Sequence, residues 1–337
     1  MKLEDLVKEE KDRINFYGII LDCSAPYYSP LIEKYLCTIK LIDETINPSK
    51  TKRESQFLTV TVFSKTVTKL PAPAKVGSII RVHRGQTKDN KGTIQINCDV
   101  NIKSAWVFFD PTDSMVAISS SSKTHTFVQK DKDILKALRA FGKKFFAEHE
   151  LSGVTLQEAV KKKPVDFDTL CFVLEVKDKK DSTRIRLCDS HNVAKLYLAT
   201  SRPLTFAPSD VVRLRSANFK EGSKNKIVFK EYSNILKVPQ EYKSAKMLLD
   251  SFKKNASEDI KEQVELYAHS LSDPLVVSKI SNQYKGAKII KLKDLIPGEL
   301  SKGKGKANFR LNVNVIEIGP KDPKEWLLIH DKKTQKK

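Results

Sequence analysis

The sequence predicts an all-β fold with helical connectors, and three observations support this prediction. The first hundred residues contain five short segments rich in Val, Ile and Thr, separated by turns of Gly, Pro, Asn and Lys. A second block with the same pattern begins near Asp168, and a segment of helical periodicity lies between the blocks. Five short strands in about 100 residues are typical of a small barrel or sandwich. The 337-residue chain is long enough for roughly two to three domains of about 100–150 residues.

The strands of the first block are predicted from apolar runs that end at turn-forming residues. They cover 16–22, 35–43, 57–63, 78–84 and 93–100. Trp106 follows in another apolar run and is predicted to lie in the core. The five cysteines are widely spaced, with no CxxC motif or Cys/His cluster. This spacing favours reduced strand residues over metal ligands.

The connector between the blocks is predicted from two segments of different composition. Residues 118–123 are rich in serine and have little to bury, so they are predicted to form a connector without regular structure. Beyond them, Ile134, Leu138, Phe141 and Phe145 recur at spacings of four, three and four residues. This periodicity predicts one apolar face of a helix over 131–148, which we expect to pack against a neighbouring domain.

The second block repeats the first. Its predicted strands cover 170–176, 184–189, 194–199, 210–216 and 226–232. Residues 211–216 resemble 79–84, and residues 185–189 resemble 39–43, in the same order along the chain. Two matching strand pairs in the same order indicate a duplicated domain.

After the second block, residues 240–270 are predicted to be helical, and a lone strand is predicted at 309–318 before a basic tail. A lone strand cannot form a domain, so it either completes a sheet elsewhere or belongs to a longer parent chain. The organisation that we predict is a polar N-terminal segment, a first barrel, a linker with a helix, a second barrel, a basic connector and the start of a third domain. The corresponding residues are 1–13, 14–118, 119–163, 164–255, 256–305 and 306–337.

The charge balance favours a polyanionic partner. Lys and Arg number 61 against 41 Asp and Glu, which gives a net charge of +20 and a pI near 9.5. An excess of this size favours nucleic acid through counterion release and electrostatic steering. An acidic protein, a membrane surface or an unspecialised basic surface are the alternatives. No run approaches the roughly 18 apolar residues of a membrane span, and the N-terminus is charged where a signal peptide would be apolar. We therefore expect an intracellular protein.

Motifs of known catalytic chemistry are missing from the sequence. There is no phosphate loop, dinucleotide-binding glycine pattern, zinc-ligand spacing or nucleophile elbow. Gly303 and Gly305 lie in a lysine-rich stretch that is typical of a flexible linker. Asp166 and Asp168 form a close carboxylate pair, which we interpret as exposed acids at a strand entry rather than a general acid and base. We expect a binding protein and no enzyme, with no cofactor and no metal.

A binding function is predicted from basic and aromatic residues on short strands and their loops. Proteins that hold single-stranded nucleic acids combine a cationic groove for the phosphates with flat side chains on which bases stack. The candidates in the first block are Lys40, Arg81, Arg84, Lys88 and Lys91 for phosphates, and Tyr27, Tyr28 and Tyr35 for stacking. Those in the second block are Arg186, Arg213, Arg215, Lys220, Lys224 and Lys226, with Phe219 and Tyr232 for stacking.

Each basic candidate, taken singly, is also compatible with a solvated surface, and Tyr27 and Tyr28 with turn packing. Strand alternation places Arg81 and His83 on one face of their strand and Arg84 on the other. Not all of these side chains can therefore reach one ligand.

Several motifs in order carry a resemblance to a known family. They are FYGIILD at 16–22, YLCTIK at 35–40, GSIIRVHR at 77–84, SAW at 104–106, VDFD at 165–168, YSNI at 232–235 and KEW at 324–326. On these residues the chain resembles the alpha subunits of the ciliate telomere end-binding proteins, relatives of the protection-of-telomeres proteins. The resemblance implies tandem OB-fold barrels, with the start of a third OB fold that in the family engages a smaller beta subunit.

The resemblance also implies a function and a site. We expect capture of G-rich single-stranded telomeric DNA in a groove of the first two OB folds, at chromosome ends in the nucleus. The residues carried over by position are Tyr27, Tyr35, Lys40, His83, Arg84 and Tyr232.

The sequence departs from the family pattern at three positions. A stacking aromatic is missing at Asn90 and near Leu196, where Tyr197 could serve only in a shifted register, and Glu231 stands beside Tyr232 in place of histidine. These departures leave three hypotheses open. The first is a capping protein that binds telomeric single strands. The second is a diverged paralogue that works with the telomere replication or telomerase machinery and binds DNA weakly, and the third is an OB-fold scaffold for an acidic protein partner.

Overall fold

The predicted strands of the first block form a closed barrel. The computed structural model describes residues 1–256 apart from 9–10, 49–55, 73–74, 91–92, 124, 180–181, 190–192, 200–205, 208 and 224, and also 289–290 and 310–311. Within the described residues, the first block has eight strands. They are β1 (Ile14–Cys23), β2 (Tyr27–Ser29), β3 (Lys34–Ile42), β4 (Leu58–Ser64), β5 (Ile79–Asn90), β6 (Thr93–Asp99), β7 (Ala105–Phe109) and β8 (Ala117–Ser120). The five predicted strands are confirmed, and the fourth, β5, extends six residues beyond its predicted end.

The strand order of this barrel is that of an OB fold. Strand β1 pairs antiparallel with both β3 and β5. Strand β3 continues antiparallel to β4, β4 pairs parallel with β6, and β6 returns antiparallel to β5. The cycle β1-β3-β4-β6-β5 is therefore closed, while β2 extends from β3 and β7 and β8 extend from β5. A closed five-stranded barrel of this order is the OB fold.

The second block has the same topology, which confirms the predicted duplication. Its strands are β9 (Phe167–Lys179), β10 (Ser182–Cys188), β11 (Val193–Ala199), β12 (Val211–Phe219) and β13 (Lys226–Val238). They close in the order β10-β11-β13-β12-β9, again with one parallel pair, β11 with β13. The prediction of tandem OB-fold barrels with helical connectors is confirmed.

The connectors agree only in part with the prediction. Helix α1 (Gln129–Glu148) confirms the predicted helix, and α2 (Leu156–Lys162) and α3 (Lys243–Asn255) follow. The predicted apolar face of α1 is confirmed and is wider than predicted. Leu138 and Phe145 are buried, Ile134 and Phe141 pack half-buried against the core, and Leu135 and Phe146 are buried as well. The serine-rich segment is not entirely irregular, since β8 pairs with β7 through backbone hydrogen bonds, which do not depend on the side chain.

One hydrophobic core extends from the first barrel into the second. It includes Phe145 and Phe146 of α1, Phe172 of β9 and Tyr242 and Phe252 of the α3 region. The rings of Phe146 and Tyr242 stack with centroids 4.4 Å apart. A separate cluster fills the interior of the second barrel. The two barrels therefore share buried apolar surface and belong to one compact unit, Met1–Ala268.

The core predictions for Trp106 and the cysteines are confirmed. Trp106 is buried, and its indole Nε1 donates to the carbonyl oxygen of Lys69 at 3.0 Å. All five cysteines are buried and free, and each lies on a strand: Cys23, Cys37, Cys98, Cys171 and Cys188. Within the described residues no cluster of side chains could hold a metal ion. No described helix has the length and apolar character needed to cross a bilayer.

The remaining predictions fall largely outside the described residues. In the second compact unit, His269–Lys337, the structure describes β14 (Ile289–Ile290) and β15 (Arg310–Leu311), which pair in parallel. The rest of the predicted strand at 309–318, the basic connector and the KEW motif of the third OB fold lie outside the described part, as does most of the predicted helical segment beyond α3. The proposed domain boundaries stay predictions.

Gly77 provides a test of the packing between the barrels. Its φ is +85°, and a Cβ added there would clash with the hydroxyl of Tyr242. We expect Gly77→Ala to lower the free energy of unfolding by about 1–3 kcal/mol or more, because a strained backbone adds to a steric clash. Urea denaturation followed by Trp fluorescence measures this loss. The control is Gly222→Ala, which has a φ of +70° but no atom within 4 Å of the added Cβ. Equal losses in the two variants would show that the Tyr242 contact contributes nothing.

Candidate nucleic-acid interface

A row of small polar side chains crosses the outer face of the first barrel. Thr38 on β3 pairs with Thr61 on β4, Thr61 with Asn97 on β6, and Asn97 with Gln86 on β5. Paired residues share a face, and their strand neighbours Val60 and Ile96 are buried inside the barrel. Among the described residues none of the four polar side chains has a hydrogen-bond partner. Their donors and acceptors are therefore available to a ligand on this face.

Two lysines flank this polar row. Lys88 on β5 is exposed and pairs with Gln95 on β6. Lys40 on β3 pairs with Thr59, and its ammonium group lies 4.5 Å from the centroid of the Phe57 ring. Cations beside hydrogen-bonding groups can hold phosphates while base edges are read.

The candidate tyrosines form two edge-to-face pairs. The rings of Tyr27 and Tyr232, one from each barrel, have centroids 5.9 Å apart at an interplanar angle of 66°. The rings of Tyr28 and Tyr35 are 5.2 Å apart at 64°. Tyr28 is 42% exposed, and the other three are half-buried. The structure therefore brings Tyr27 and Tyr232 together at the junction of the barrels.

Tyr35 and Lys40 do not lie on the same face of β3. The strand pairs with β4 without a register shift from Tyr35 to Leu41, so the odd separation places these two side chains on opposite faces. Tyr35 lies on the side of buried Cys37 and packs against the core cluster. Lys40, with Thr38, lies on the outer face.

Two hydrogen bonds, at Tyr232 and at Asn234, fix the junction beside the Tyr27–Tyr232 pair. The amide of Ala25 donates to the carbonyl oxygen of Tyr232 at 3.1 Å. The side-chain amide of Asn234 donates to the carbonyl oxygen of Cys23 at 3.3 Å. The segment after β1 therefore lies directly against β13 of the second barrel.

Asp22 forms the centre of an ion cluster at this junction. Its Oδ2 accepts from Nε of Arg215 at 2.9 Å and lies 3.9 Å from Nζ of Lys40. Burial of this residue, which is only 2% exposed, raises the pKa of its carboxyl group, against the effect of Arg215 and the neighbouring Arg213. Arg215, predicted as a phosphate contact, therefore uses its Nε to bind a carboxylate of the other barrel.

The prediction that Arg213 contacts phosphate is not supported by its position. Arg213 is only 4% exposed, and its guanidinium lies 3.0 Å from Oδ2 of Asp168. The other oxygen of Asp168 accepts from the backbone amide of Ser216 at 2.8 Å. Arg213 is thus an interior ion-pair partner rather than a surface cation, because burial of its charge requires a nearby carboxylate.

Asp166 organises the side of the junction that belongs to the second barrel. It has a φ of +52°, and its carboxylate accepts from Asn218 at 2.8 Å, Lys230 at 3.0 Å and the hydroxyl of Tyr232 at 3.1 Å. These hydrogen bonds, that of Asn218 first, lower the pKa of Asp166. Asp166 is exposed directly before β9, as predicted, whereas Asp168 on β9 is half-buried and paired with Arg213.

A bulge changes the predicted alternation of β5. Arg84 has a φ of +52°, and the pairing of β5 with β1 shifts register between Ile14 and Phe16. Arg84 is exposed rather than turned to the side of Val82, so the predicted alternation is wrong at this residue. A β-bulge adds one residue and thereby redirects the side chain.

His83 is half-buried and has little capacity to carry charge. Its Nε2 is buried without a hydrogen-bond partner among the described residues. Burial, together with the positive charges of Arg81 and Arg84, lowers the pKa of His83 to about 4. Arg81 itself pairs with Asp131 at 3.3 Å at the start of α1, where Tyr17 also donates to Asp131. His83 is therefore a neutral side chain at neutral pH.

The other candidates are more scattered. Arg186 is half-buried on β10, and Lys220 is exposed in the turn after β12. Lys91 and Lys224 lie outside the described residues. Asn90 is exposed at the end of β5, so the position of the missing aromatic is open to solvent. Leu196 is fully buried inside the second barrel, so a side chain at that register position cannot form a stacking platform.

The sequence prediction missed the polar row and the role of Asp22. The signal for the row was present, since Thr59, Thr61, Gln95 and Asn97 alternate with apolar residues in two predicted strands. The signal for Asp22 was a single acid at the end of an apolar run. That its partner lies 193 residues away is a property of the tertiary fold.

Comparison with known proteins gives the following similarities. Residues 1–152 match the family model "Telomeric single stranded DNA binding POT1/CDC13", and residues 157–250 match "Telomere end-binding protein alpha subunit OB2 domain". The telomere-binding protein subunit alpha of Sterkiella nova is 28% identical over 96% of this chain and 70% of its own length. The telomere-binding protein 51 kDa subunit of Euplotes crassus is 29% identical over 70% of this chain and 57% of its own length.

A solved structure of fission yeast Pot1 with single-stranded DNA covers 79% of this chain and 93% of its own, with 13% sequence identity and a TM-score of 0.35.

The pKa of His83 provides a test of the β5 geometry. Because the folded pKa of about 4 lies below the unfolded value of 6.5, the unfolded chain binds the proton more tightly between these values. The contribution of His83 to stability is therefore complete above pH 6.5 and is lost as the pH falls through about 4. An NMR titration of the imidazole ring, assigned with His83→Gln, should show a midpoint near 4, while the urea-unfolded chain gives the reference. A folded midpoint at the unfolded value would contradict the burial of Nε2.

Proposed function

Since the chain resembles the alpha subunits of the ciliate telomere-binding proteins over nearly its whole length, we propose that it binds single-stranded, G-rich telomeric DNA. We propose further that it caps chromosome ends in the nucleus through its tandem OB folds, as a binding protein without catalytic activity. A beta subunit or the replication and telomerase proteins are the partner classes that the resemblance suggests.

The observation that carries the proposal is the continuity of one surface across the two barrels. The polar row on the first barrel ends beside Lys40, and the Tyr27–Tyr232 pair follows at the junction. A single strand laid along this surface would meet hydrogen-bonding groups, cations and aromatic rings in succession. These are the three elements that single-strand binders combine.

The roles of the side chains follow from their positions. On this proposal Lys40, Lys88 and the exposed Arg84 contact phosphates. Thr38, Thr61, Asn97 and Gln86 can donate to and accept from base edges, which gives a preference among sequences. Tyr27 and Tyr232 offer ring surface for stacking at the junction.

The second candidate function is that of a diverged paralogue with weak DNA binding, acting with the replication or telomerase machinery. It is favoured by the exposed Asn90 and the buried Leu196, because each removes a stacking platform that the family pattern would supply. Base–aromatic stacking contributes roughly 1–3 kcal/mol per base, so two lost platforms correspond to a weakening of about one to several decades.

Fluorescence anisotropy with the full chain tests the proposal. The ligands are a G-rich telomeric single strand and a composition-matched scramble, each titrated at two salt concentrations. We expect tight binding that favours the telomeric strand at both, with affinity falling steeply as salt rises, because Lys and Arg release counterions from the phosphates. Weak binding without preference would support the paralogue, and no DNA binding at either salt concentration would support a scaffold for an acidic protein.

Tyr232 tests the stacking at the junction. We expect Tyr232→Ala to weaken binding of the telomeric strand by roughly 1–3 kcal/mol, because a ring surface for one base is lost. The matched control is Tyr232→Phe, which keeps the ring but removes the hydrogen bond to Asp166. We expect it to retain most of the affinity. An unchanged dissociation constant in a folded Tyr232→Ala variant would remove this residue from the site.

A further inference from the structure

Asp22 and Arg215 form an ion pair that joins the two barrels, and we propose that this pair is a positioning element for the DNA surface. Asp22 belongs to β1 of the first barrel and Arg215 to β12 of the second. On this proposal, which rests on the proposed function, the pair sets the angle between the barrels and hence the spacing of the DNA contacts on either side of the junction.

The burial of the pair makes it a directional contact. The side chain of Asp22 is 3% exposed and that of Arg215 is 15% exposed. A carboxylate at such a site requires a hydrogen-bonded cation, because an uncompensated buried charge is strongly destabilising. Apolar packing between the barrels is non-directional and tolerates several orientations. The 2.9 Å hydrogen bond from Nε of Arg215 to Oδ2 of Asp22 depends on distance and angle and therefore restricts the orientation.

The surrounding contacts transmit this geometry to the tyrosines. Asp22 lies at a register shift of β1, and the next residues form hydrogen bonds to the second barrel through Cys23 and Ala25. Tyr27 lies two residues after Ala25, and its ring contacts that of Tyr232. A change of angle at Asp22 therefore displaces Tyr27 relative to Tyr232.

The carboxylate of Asp22 also lies close to a second cation at the junction, the ammonium group of Lys40. Lys40 lies 3.9 Å from the carboxylate oxygen that binds Arg215. Asp22 thus holds one cation from each barrel at a single point, where the two halves of the DNA surface meet. Arg213, paired with Asp168, lies behind them and is too deeply buried to take part in ligand contact.

Whether Asp22→Asn raises or lowers the affinity for DNA distinguishes a positioning role from a purely electrostatic one. The substitution removes a negative charge near the DNA surface, so a bystander carboxylate would give tighter binding when lost. A positioning residue gives weaker binding despite the more favourable charge. We expect the dissociation constant for a long telomeric strand to rise about tenfold, equivalent to about 1.4 kcal/mol, with an unchanged dependence on salt.

The length of the DNA strand and a matched control variant make this measurement more specific. We expect the loss only with strands long enough to contact both barrels, and no loss with the shortest strands of a ladder from about 6 to 24 nucleotides. The control is Asp5→Asn, which removes the same charge from an exposed carboxylate paired with Lys8. It should leave affinity unchanged or slightly tighter. Unchanged or tighter binding by folded Asp22→Asn would overturn the proposal.

A second variant and a DNA-free measurement keep the test independent of folding and of the proposed function. Arg215→Lys keeps the charge but lacks the Nε donor, and we expect the same tenfold loss. If Arg215→Lys binds long telomeric DNA strands with the affinity of the wild type, the positioning role is wrong. If the wild type binds no DNA, the proposed function fails, but the pair is still tested by thermal unfolding of Asp22→Asn, Arg215→Gln and the double variant. Additive shifts in Tm would show that the two residues do not interact.

Discussion

The stacking of Phe146 on Tyr242 is the contact on which the relation between the barrels depends. It joins α1, which follows the first barrel, to the start of α3, which follows the second. Gly77 makes this close approach possible, since any side chain there would meet the Tyr242 hydroxyl. Around it, residues of both barrels form one apolar core. The polar contacts of the junction then act on barrels that are already in proximity, and they select an orientation rather than provide the association.

Charge at this junction is distributed differently from what the composition suggests. A net charge of +20 implies an abundance of unpaired cations. At the junction, however, Arg215 is bound to the buried carboxylate of Asp22, Arg213 to the half-buried one of Asp168, and Lys40 lies beside Asp22. The local arrangement therefore holds its cations in fixed positions by pairing them with carboxylates. Long-range attraction of a polyanion comes from the whole surface, whereas selectivity among its sequences requires side chains held in place.

The sequence was sufficient for features that depend on alternation and periodicity, and insufficient for those that depend on tertiary contacts. All ten barrel strands and α1 follow from local patterns of apolar residues. The predicted face of Arg84 is wrong because the bulge depends on the pairing of β5 with β1, which local sequence does not encode. The sequence predicts Arg213 as a phosphate contact, whereas the structure pairs it with Asp168, which lies 45 residues away in the sequence. Among the site residues, the resemblance placed Tyr27 and Tyr232, and the structure shows that they meet.

The burial of every cysteine has a practical consequence for chemical labelling. Thiolates are the reactive form, and burial raises the pKa of Cys37, Cys98 and Cys188 to about 12 each, with Cys23 and Cys171 shifted in the same direction. Because the native thiols are also buried, we expect them to react slowly with maleimide reagents as long as the protein is folded. A single cysteine introduced on each barrel surface would accept fluorophores selectively, without removal of the five natural ones. Distances between the two barrels can then be measured between fluorophores on the two introduced cysteines.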